Sequence, residues 1–325
     1  MSATAKYLRI GIGLVVIAGL IVIPLNFNRY GLFILSQWAV MTIAAMGLNL
    51  TLGYAGQVSL AQGAFVGIGA YAAAIMTSHG MPLVAGLAVA IILCFAIGWI
   101  LGYPALRVQH HYLAFVTLAF NTLIYLVFRN EEWLTGGIYG ISNIPRPNVL
   151  GFATNKPLPF YYVCLGSLGI VSVAMWWLIR SPWGRAFVAL RENPVRALSL
   201  GIDTRRYTLM AFAIGAGLGG MAGSLYAPLV QFVDPVPFAL ALSLNLLLVV
   251  VVGGSGYFFG PFLGAIVAFL LPDWMRFAEG YYLICYAVLV IVLMVFCPSG
   301  LIGLAERLLM PKAKDVPAPA AEDAR

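Results

Sequence analysis

The groups in this chain that could catalyse, hold a metal or relay a proton are few and far apart. Eleven acidic residues, three histidines and four cysteines are spread over 325 positions. Acid–base or metal chemistry needs several such groups converging at one depth, and no set of His, Asp, Glu or Cys does so along this sequence. His79 and the pair His110-His111 beside Arg107 fall at the ends of apolar runs, where a histidine suits anchoring at an interface. Cys94, Cys164, Cys285 and Cys297 lie in separate apolar segments without a CxxC spacing, the pattern of packing cysteines. A nucleotide-binding glycine loop ends in Gly-Lys, whereas Lys6, Lys156, Lys312 and Lys314 follow Ala, Asn, Pro and Ala. The expectation is a chain that is not an enzyme, with no catalytic residue, no metal site and no cofactor of its own.

Uncharged polar groups are a different matter. Asn49, Gln57, Ser59, Gln62, Asn121 and Asn245 lie within or at the mouths of apolar runs. In that setting an unpartnered amide is costly and must find another helix, water or a solute. One reading is hydrogen bonding between helices. The other is that Gln57, Ser59 and Gln62, beside Gly53, Gly56 and Gly63, border a translocation pathway where backbone faces a cavity.

The third group is cationic. Arg180, Arg185, Arg191, Arg196, Arg205 and Arg206 fall within one stretch that holds only two acids, Glu192 and Asp203. Such a basic loop belongs on the cytoplasmic side of a membrane. Ser181-Pro182 and Asn193-Pro194 each supply a helix cap followed by proline in the first helical position, and Gly201 is placed as a helix stop. Two short helices with a bend are therefore expected, one running to about Glu192 and one carrying Val195, Ala197, Leu198 and Leu200. The alternative is an amphipathic segment lying on anionic headgroups.

The elements that position these groups follow from composition. At 62% hydrophobic and 9% charged, the chain is far from the soluble average of about half apolar and about a quarter charged. It reads as an all-α polytopic membrane protein of about ten transmembrane segments. The apolar runs fall near Tyr7–Leu25, Gly31–Leu52, Ala55–Met76, Pro82–Tyr103, Tyr112–Phe128, Phe160–Ile179, Tyr207–Val230, Ala239–Val252, Phe258–Leu271 and Tyr281–Cys297. The first is expected to be a retained span rather than a signal peptide. The third, eighth and ninth are Gly-rich or short and read as broken or partial crossings.

With the arginine loop inside, both termini are cytoplasmic, and only Arg29, Arg129, Arg146, Lys156 and Arg276 of the 18 lysines and arginines lie outside. The acids divide almost evenly, so the asymmetry is one of Lys and Arg, as the positive-inside rule requires. The net charge of +7 thus serves topology rather than nucleic-acid binding. No charge falls within a span, which speaks against an ion-coupled secondary transporter. The expected organisation is a transmembrane domain over 1–310, with a cytoplasmic loop over 180–206 and an external loop over 129–159, and a disordered cytoplasmic tail over 311–325. Leu48-Asn49-Leu50 recurs as Leu244-Asn245-Leu246, and Gly63-x-Phe65-x-Gly67 as Gly260-x-Phe262-x-Gly264, a possible parallel internal repeat. Gly63, Gly67, Gly215, Gly219, Gly220 and Gly223 should allow helices to approach closely.

Several stretches together resemble the permeases of the branched-chain amino acid ABC importers, in particular their Liv-M-like subunit. They are Gly47-Leu48-Asn49-Leu50-Thr51-Leu52-Gly53-Tyr54-Ala55-Gly56-Gln57-Val58-Ser59-Leu60, Gly67-Ile68-Gly69-Ala70-Tyr71, Thr135-Gly136-Gly137 to Ile144-Pro145-Arg146-Pro147, and Ser181-Pro182-Trp183-Gly184-Arg185-Ala186 to Arg191-Glu192-Asn193. Ala197 to Gly201, Gly219 to Ala227, and Val252-Gly253-Gly254-Ser255-Gly256 with Gly260-Pro261 continue the match. The resemblance implies a multi-pass protein of the bacterial inner membrane that pairs with a second, homologous permease subunit. It also implies a periplasmic substrate-binding protein and two cytoplasmic ABC ATPase subunits, which bind the ATP and Mg. Under it, Arg185, Arg191, Glu192, Asn193, Ala197 and Gly201 form the ATPase-coupling element. The substrate class it implies is branched-chain or related hydrophobic amino acids, with urea, short amides or aromatic acids as the alternative.

Overall fold

The computed structural model of the chain describes residues 18–105, 110–146, 156–274, 281–296 and 300–303. These are overwhelmingly helical. α1 spans Arg29–Tyr54, with its last six residues, Asn49–Tyr54, widened into π-helix. α2 is Gln62–Ser78, α3 Leu83–Ala105, α4 His110–Asn130 and α5 Pro157–Arg180. The two short helices α6 (Pro182–Glu192) and α7 (Pro194–Ser199) lead into α8 (Thr204–Val230). α9 (Leu240–Gly253), α10 (Gly260–Trp274) and α11 (Tyr282–Phe296) follow.

Among the described residues, five helical stretches are long and apolar enough to cross a membrane: Arg29–Tyr54, Leu83–Tyr103, Leu113–Asn130, Pro157–Arg180 and Thr204–Val230. α9 and α10 are apolar but shorter. The expected first span lies mostly outside the described residues, as does the tail over 311–325. The expected third span begins late. Ala55–Ala61 is not helical, because α1 ends in its widened turn and Gly56 then takes a left-handed conformation with φ of 70°.

α1 and α8 form the centre: 83% of the apolar window of α8 and 72% of that of α1 are buried, against 22% for α5. α8 packs on α3, α2 and α1. Small residues make this closeness possible. A Cβ on Gly69 would overlap the backbone of Gly220, one on Gly223 would overlap the Val66 carbonyl, and Gly47 and Gly215 face each other's carbonyls. Backbones meet where most helix pairs would interpose side chains. The outer helices α3, α4 and α5 turn large apolar residues such as Ile92, Phe115 and Trp177 outward.

Past α4 the chain makes a one-turn helix, Glu132–Thr135, and then β1 (Ile141–Ser142), which pairs antiparallel with β2 (Phe232–Val233) just beyond α8. This small sheet ties the described part of the 129–159 loop to one end of the bundle. α5 starts at that end, with Pro157 in its first turn. Its 24 residues, about 36 Å of helix, place α6 and α7 at the other end.

Candidate functional site

The arginine-rich stretch folds as a capped elbow. Ser181 is extended, and its hydroxyl accepts a hydrogen bond from the Trp183 amide at 3.2 Å, which starts α6. Asn193 repeats the device: its side-chain oxygen accepts from the Arg196 amide at 3.0 Å and starts α7. α7 ends in a Schellman turn. The Gly201 amide donates to the Leu198 carbonyl and the Ile202 amide to the Ala197 carbonyl, both at 3.0 Å, with Gly201 at φ of 80°. Asp203 then accepts from the Arg206 amide at 3.0 Å and opens α8. Each of three consecutive helix starts is thus fixed by a side chain that caps an amide two or three residues further on. The Asp203 cap is the one the sequence reading did not pick out, although an acid just before a helical run is its ordinary signal.

The two elbow helices face opposite ways. α6 buries Ala186, Phe187 and Leu190. The Phe187 and Trp183 rings meet Tyr207 edge-on at 6.2 and 6.4 Å, and Gly184 fits against the Ile179 carbonyl where α5 turns into α6. α7 buries only Ala197 and leaves Val195, Leu198 and Leu200 exposed at 77%, 61% and 78%. Of the residues expected to form the coupling element, Arg185 and Glu192 are exposed, Asn193 and Gly201 shape the backbone, and Ala197 is buried. Arg191 is exposed as well, but its guanidinium turns inward. Its guanidinium donates from Nη1 to the carbonyl of Gly53 in the widened turn of α1.

Above the elbow lie two interruptions of helix, residues 55–61 between α1 and α2 and the Gly254–Phe259 segment between α9 and α10. In both, a Gly-x-Phe-x-Gly stretch lies at the start of the helix that follows. Asn49 joins them: its oxygen accepts from the Gly256 amide at 2.9 Å and its nitrogen donates to the Tyr257 carbonyl at 3.0 Å. Gln62 is buried and donates to the carbonyls of Ala44 and Gly215 at 2.9 and 3.1 Å, pinning α2 between α1 and α8. Ser59 is buried and accepts from the Ala61 amide, while half-buried Gln57 donates to the nearby Ala55 carbonyl.

Asn121 on α4 accepts from Ser243, whose oxygen in turn accepts from the Gly63 amide. Its amide nitrogen is buried without a partner among the described residues. Asn245, two positions after Ser243, is exposed. Five of the six amide and hydroxyl positions therefore face protein, and one faces outward. Ser243 and Thr117, which receives the Leu60 amide at 3.0 Å, complete this wiring and were not singled out from the sequence. A serine or threonine in a span carries no local mark of its distant partner.

At the end opposite the elbow is an open cavity of about 580 Å³ whose lining includes Arg29, Arg146 and Lys156. Arg146 donates to the carbonyls of Pro228 and Leu229 at 3.3 and 3.4 Å and lies over the Phe160 ring. Burial lowers its pKa below the usual arginine value, which the nearby Cys164 partly opposes. Among the described residues no cluster of His, Cys, Asp or Glu is suited to a metal.

Comparison with known proteins places this architecture. Residues 30–297 match the family described as branched-chain amino acid transport system, permease component. The chain is 32% identical to the high-affinity branched-chain amino acid transport system permease protein LivM of Escherichia coli, over 89% of this chain and 74% of that protein. It is 26% identical to the probable branched-chain amino acid transport permease LivM of Methanocaldococcus jannaschii, over 72% of each. It is also 24% identical to the ribose import permease RbsC of Haemophilus influenzae, over 82% of this chain and 84% of that protein. No solved structure matches the chain.

Proposed function

The chain belongs to the family of permease components of branched-chain amino acid transport systems, and on that premise we propose that it is a membrane-spanning subunit of an ABC importer in the bacterial inner membrane. It pairs with a second permease, takes solute from a periplasmic binding protein and is driven by two cytoplasmic ATPase subunits that bind ATP and Mg. The elbow carries this reading. An apolar patch of Val195, Leu198 and Leu200 stands exposed on a helix whose two ends are locked, beside the exposed cations Arg185 and Arg196. A rigid apolar knob with a charged rim fits a groove on a partner, and its basic flank supports a cytoplasmic position.

The favoured substrate is a branched-chain amino acid, supported by the LivM relatives. Asn49, Gln57, Ser59, Gln62, Asn121 and Asn245 are the proposed polar elements of the pathway. Asn245 supplies an exposed amide, and Asn121 a buried one with bonding capacity to spare. A relative that imports ribose shows that the family also serves other solutes. The test is uptake into vesicles holding both permeases and the ATPases, with the binding protein added. Labelled leucine should accumulate only with ATP and the binding protein, with unlabelled isoleucine and valine competing and ribose and urea not. Uptake driven by a proton or sodium gradient through this subunit alone would reject the assignment.

A further inference from the structure

We propose that Arg191 does not dock the ATPase but transmits movement of the elbow to both helix interruptions at once. The inference rests on the importer reading above and assigns one side chain within it. Arg191 sits in the last turn of α6, the helix that faces the bundle, and not on the exposed face of α7.

Its guanidinium bonds the Gly53 carbonyl, one of the terminal carbonyls of α1. Such carbonyls lack partners within the helix and carry partial negative charge, so a cation there is favourable. The same nitrogen lies against Gly256, where a Cβ would overlap it, and the backbone of Arg191 packs on Gly56 at 3.3 Å from a Cβ position. Gly256 in turn donates its amide to Asn49, one turn before Gly53 on α1. Arg191 therefore touches the end of α1 and the loop between α9 and α10 through its guanidinium, and the turn that follows α1 through its Cα and the base of its side chain.

The three contacts share so small a volume that α6 cannot shift without disturbing both interruptions. Glycine at 56 and 256 is what admits the arginine this closely, and glycine at 53 leaves room for the Asn49 side chain and the Gly256 backbone beside it. A docking arginine would extend away from the bundle; Arg185, Arg191 and Arg196 are all exposed, and among the described residues Arg191 is the one of the three whose side chain bonds the bundle.

The experiment uses the complete assembly, reconstituted with its binding protein, and reads three quantities: ATPase co-purified, ATP hydrolysed and solute taken up. R191A should retain the ATPase at the wild-type level and hydrolyse ATP within about twofold, while uptake per ATP falls roughly tenfold, the scale of one charge-assisted hydrogen bond. R191K, which keeps a cation able to donate to Gly53, should restore uptake to within about threefold. L198D, on the outward face, should lose the ATPase itself.

The proposal is overturned if R191A sheds the ATPase as L198D does, if its uptake per ATP is unchanged, or if lysine behaves like alanine. Should R191A not accumulate, R191Q, a shorter uncharged donor, is held to the same loss of uptake per ATP. A wild-type assembly that binds no ATPase, or takes up nothing with ATP, would bring down the importer reading itself, an outcome separate from all of these.

Discussion

α6 and α7 are written in the same sequence grammar and end up with opposite faces. Each begins with a capping side chain and a proline, and each carries apolar residues at helical spacing. α6 buries its apolar side because Tyr207 and the widened turn of α1 lie beside it. α7 has only the support that holds Ala197, so its larger apolar residues stay outside. Local signals make a helix, and the neighbours decide which face it hides. The elbow thus has a half that belongs to this chain and a half that is open to another.

The strongest test of the inward half is Phe187→Ala. Phe187 is completely buried, and removing such a ring costs about 3–5 kcal/mol. The purified protein should lose thermal stability and accumulate poorly, in parallel with any loss of transport. Full stability with selective loss of ATPase binding would place Phe187 on the wrong side of the comparison.

Leu198→Asp tests the outward half and should behave in the reverse manner. A hot-spot side chain contributes about 2 kcal/mol or more to an interface, so affinity for the ATPase should fall roughly thirtyfold or more. Thermal stability in detergent should stay within about 1 kcal/mol of wild type, as for an exposed site. A large drop in stability would mean that Leu198 packs on this chain.

Gly201→Ala is expected to be milder. A left-handed backbone costs a residue bearing a Cβ about 1–2 kcal/mol, and no atom lies near enough to clash with the added methyl. The melting temperature should drop by a few degrees and ATPase binding should weaken several-fold, with Gly201→Asn closer to wild type. If alanine has no effect on either, the end of α7 does not hold the exposed face in place.

This division explains what could be read in the sequence and what could not. The caps at Ser181 and Asn193, the stop at Gly201 and the small-residue contacts of α8 were all legible, because each acts through residues within a turn or through a spacing of four. The inward reach of Arg191 was not. Its partner lies 138 residues away in the chain, and nothing near residue 191 marks it as different from Arg185 or Arg196. The same holds for Gln62, whose second acceptor is 153 residues distant, and for Asn49, which bonds a loop more than 200 residues later. The late start of α2 was legible in part. Gly56, Gln57 and Ser59 mark Ala55–Ala61 as a glycine-bearing, polar start to an apolar run, but only the backbone turn at Gly56 shows where the chain stops winding.

Asn193 stands on the boundary between the two halves, and its replacement should have the smallest effect of the series. Its side chain accepts from the Arg196 amide, while its own amide donates to the Ala189 carbonyl and closes α6. Asn193→Ala therefore removes the start of α7 and leaves the end of α6, and with it Arg191, in place. Losing a cap of this type costs about 1 kcal/mol, so ATPase affinity should fall roughly fivefold while uptake per ATP hydrolysed stays unchanged. Asn193→Asp, which keeps the acceptor, should recover most of the affinity. If alanine instead uncouples hydrolysis from uptake, the two helices move as one body, and the contrast between an inward and an outward half would hold for packing only and not for function.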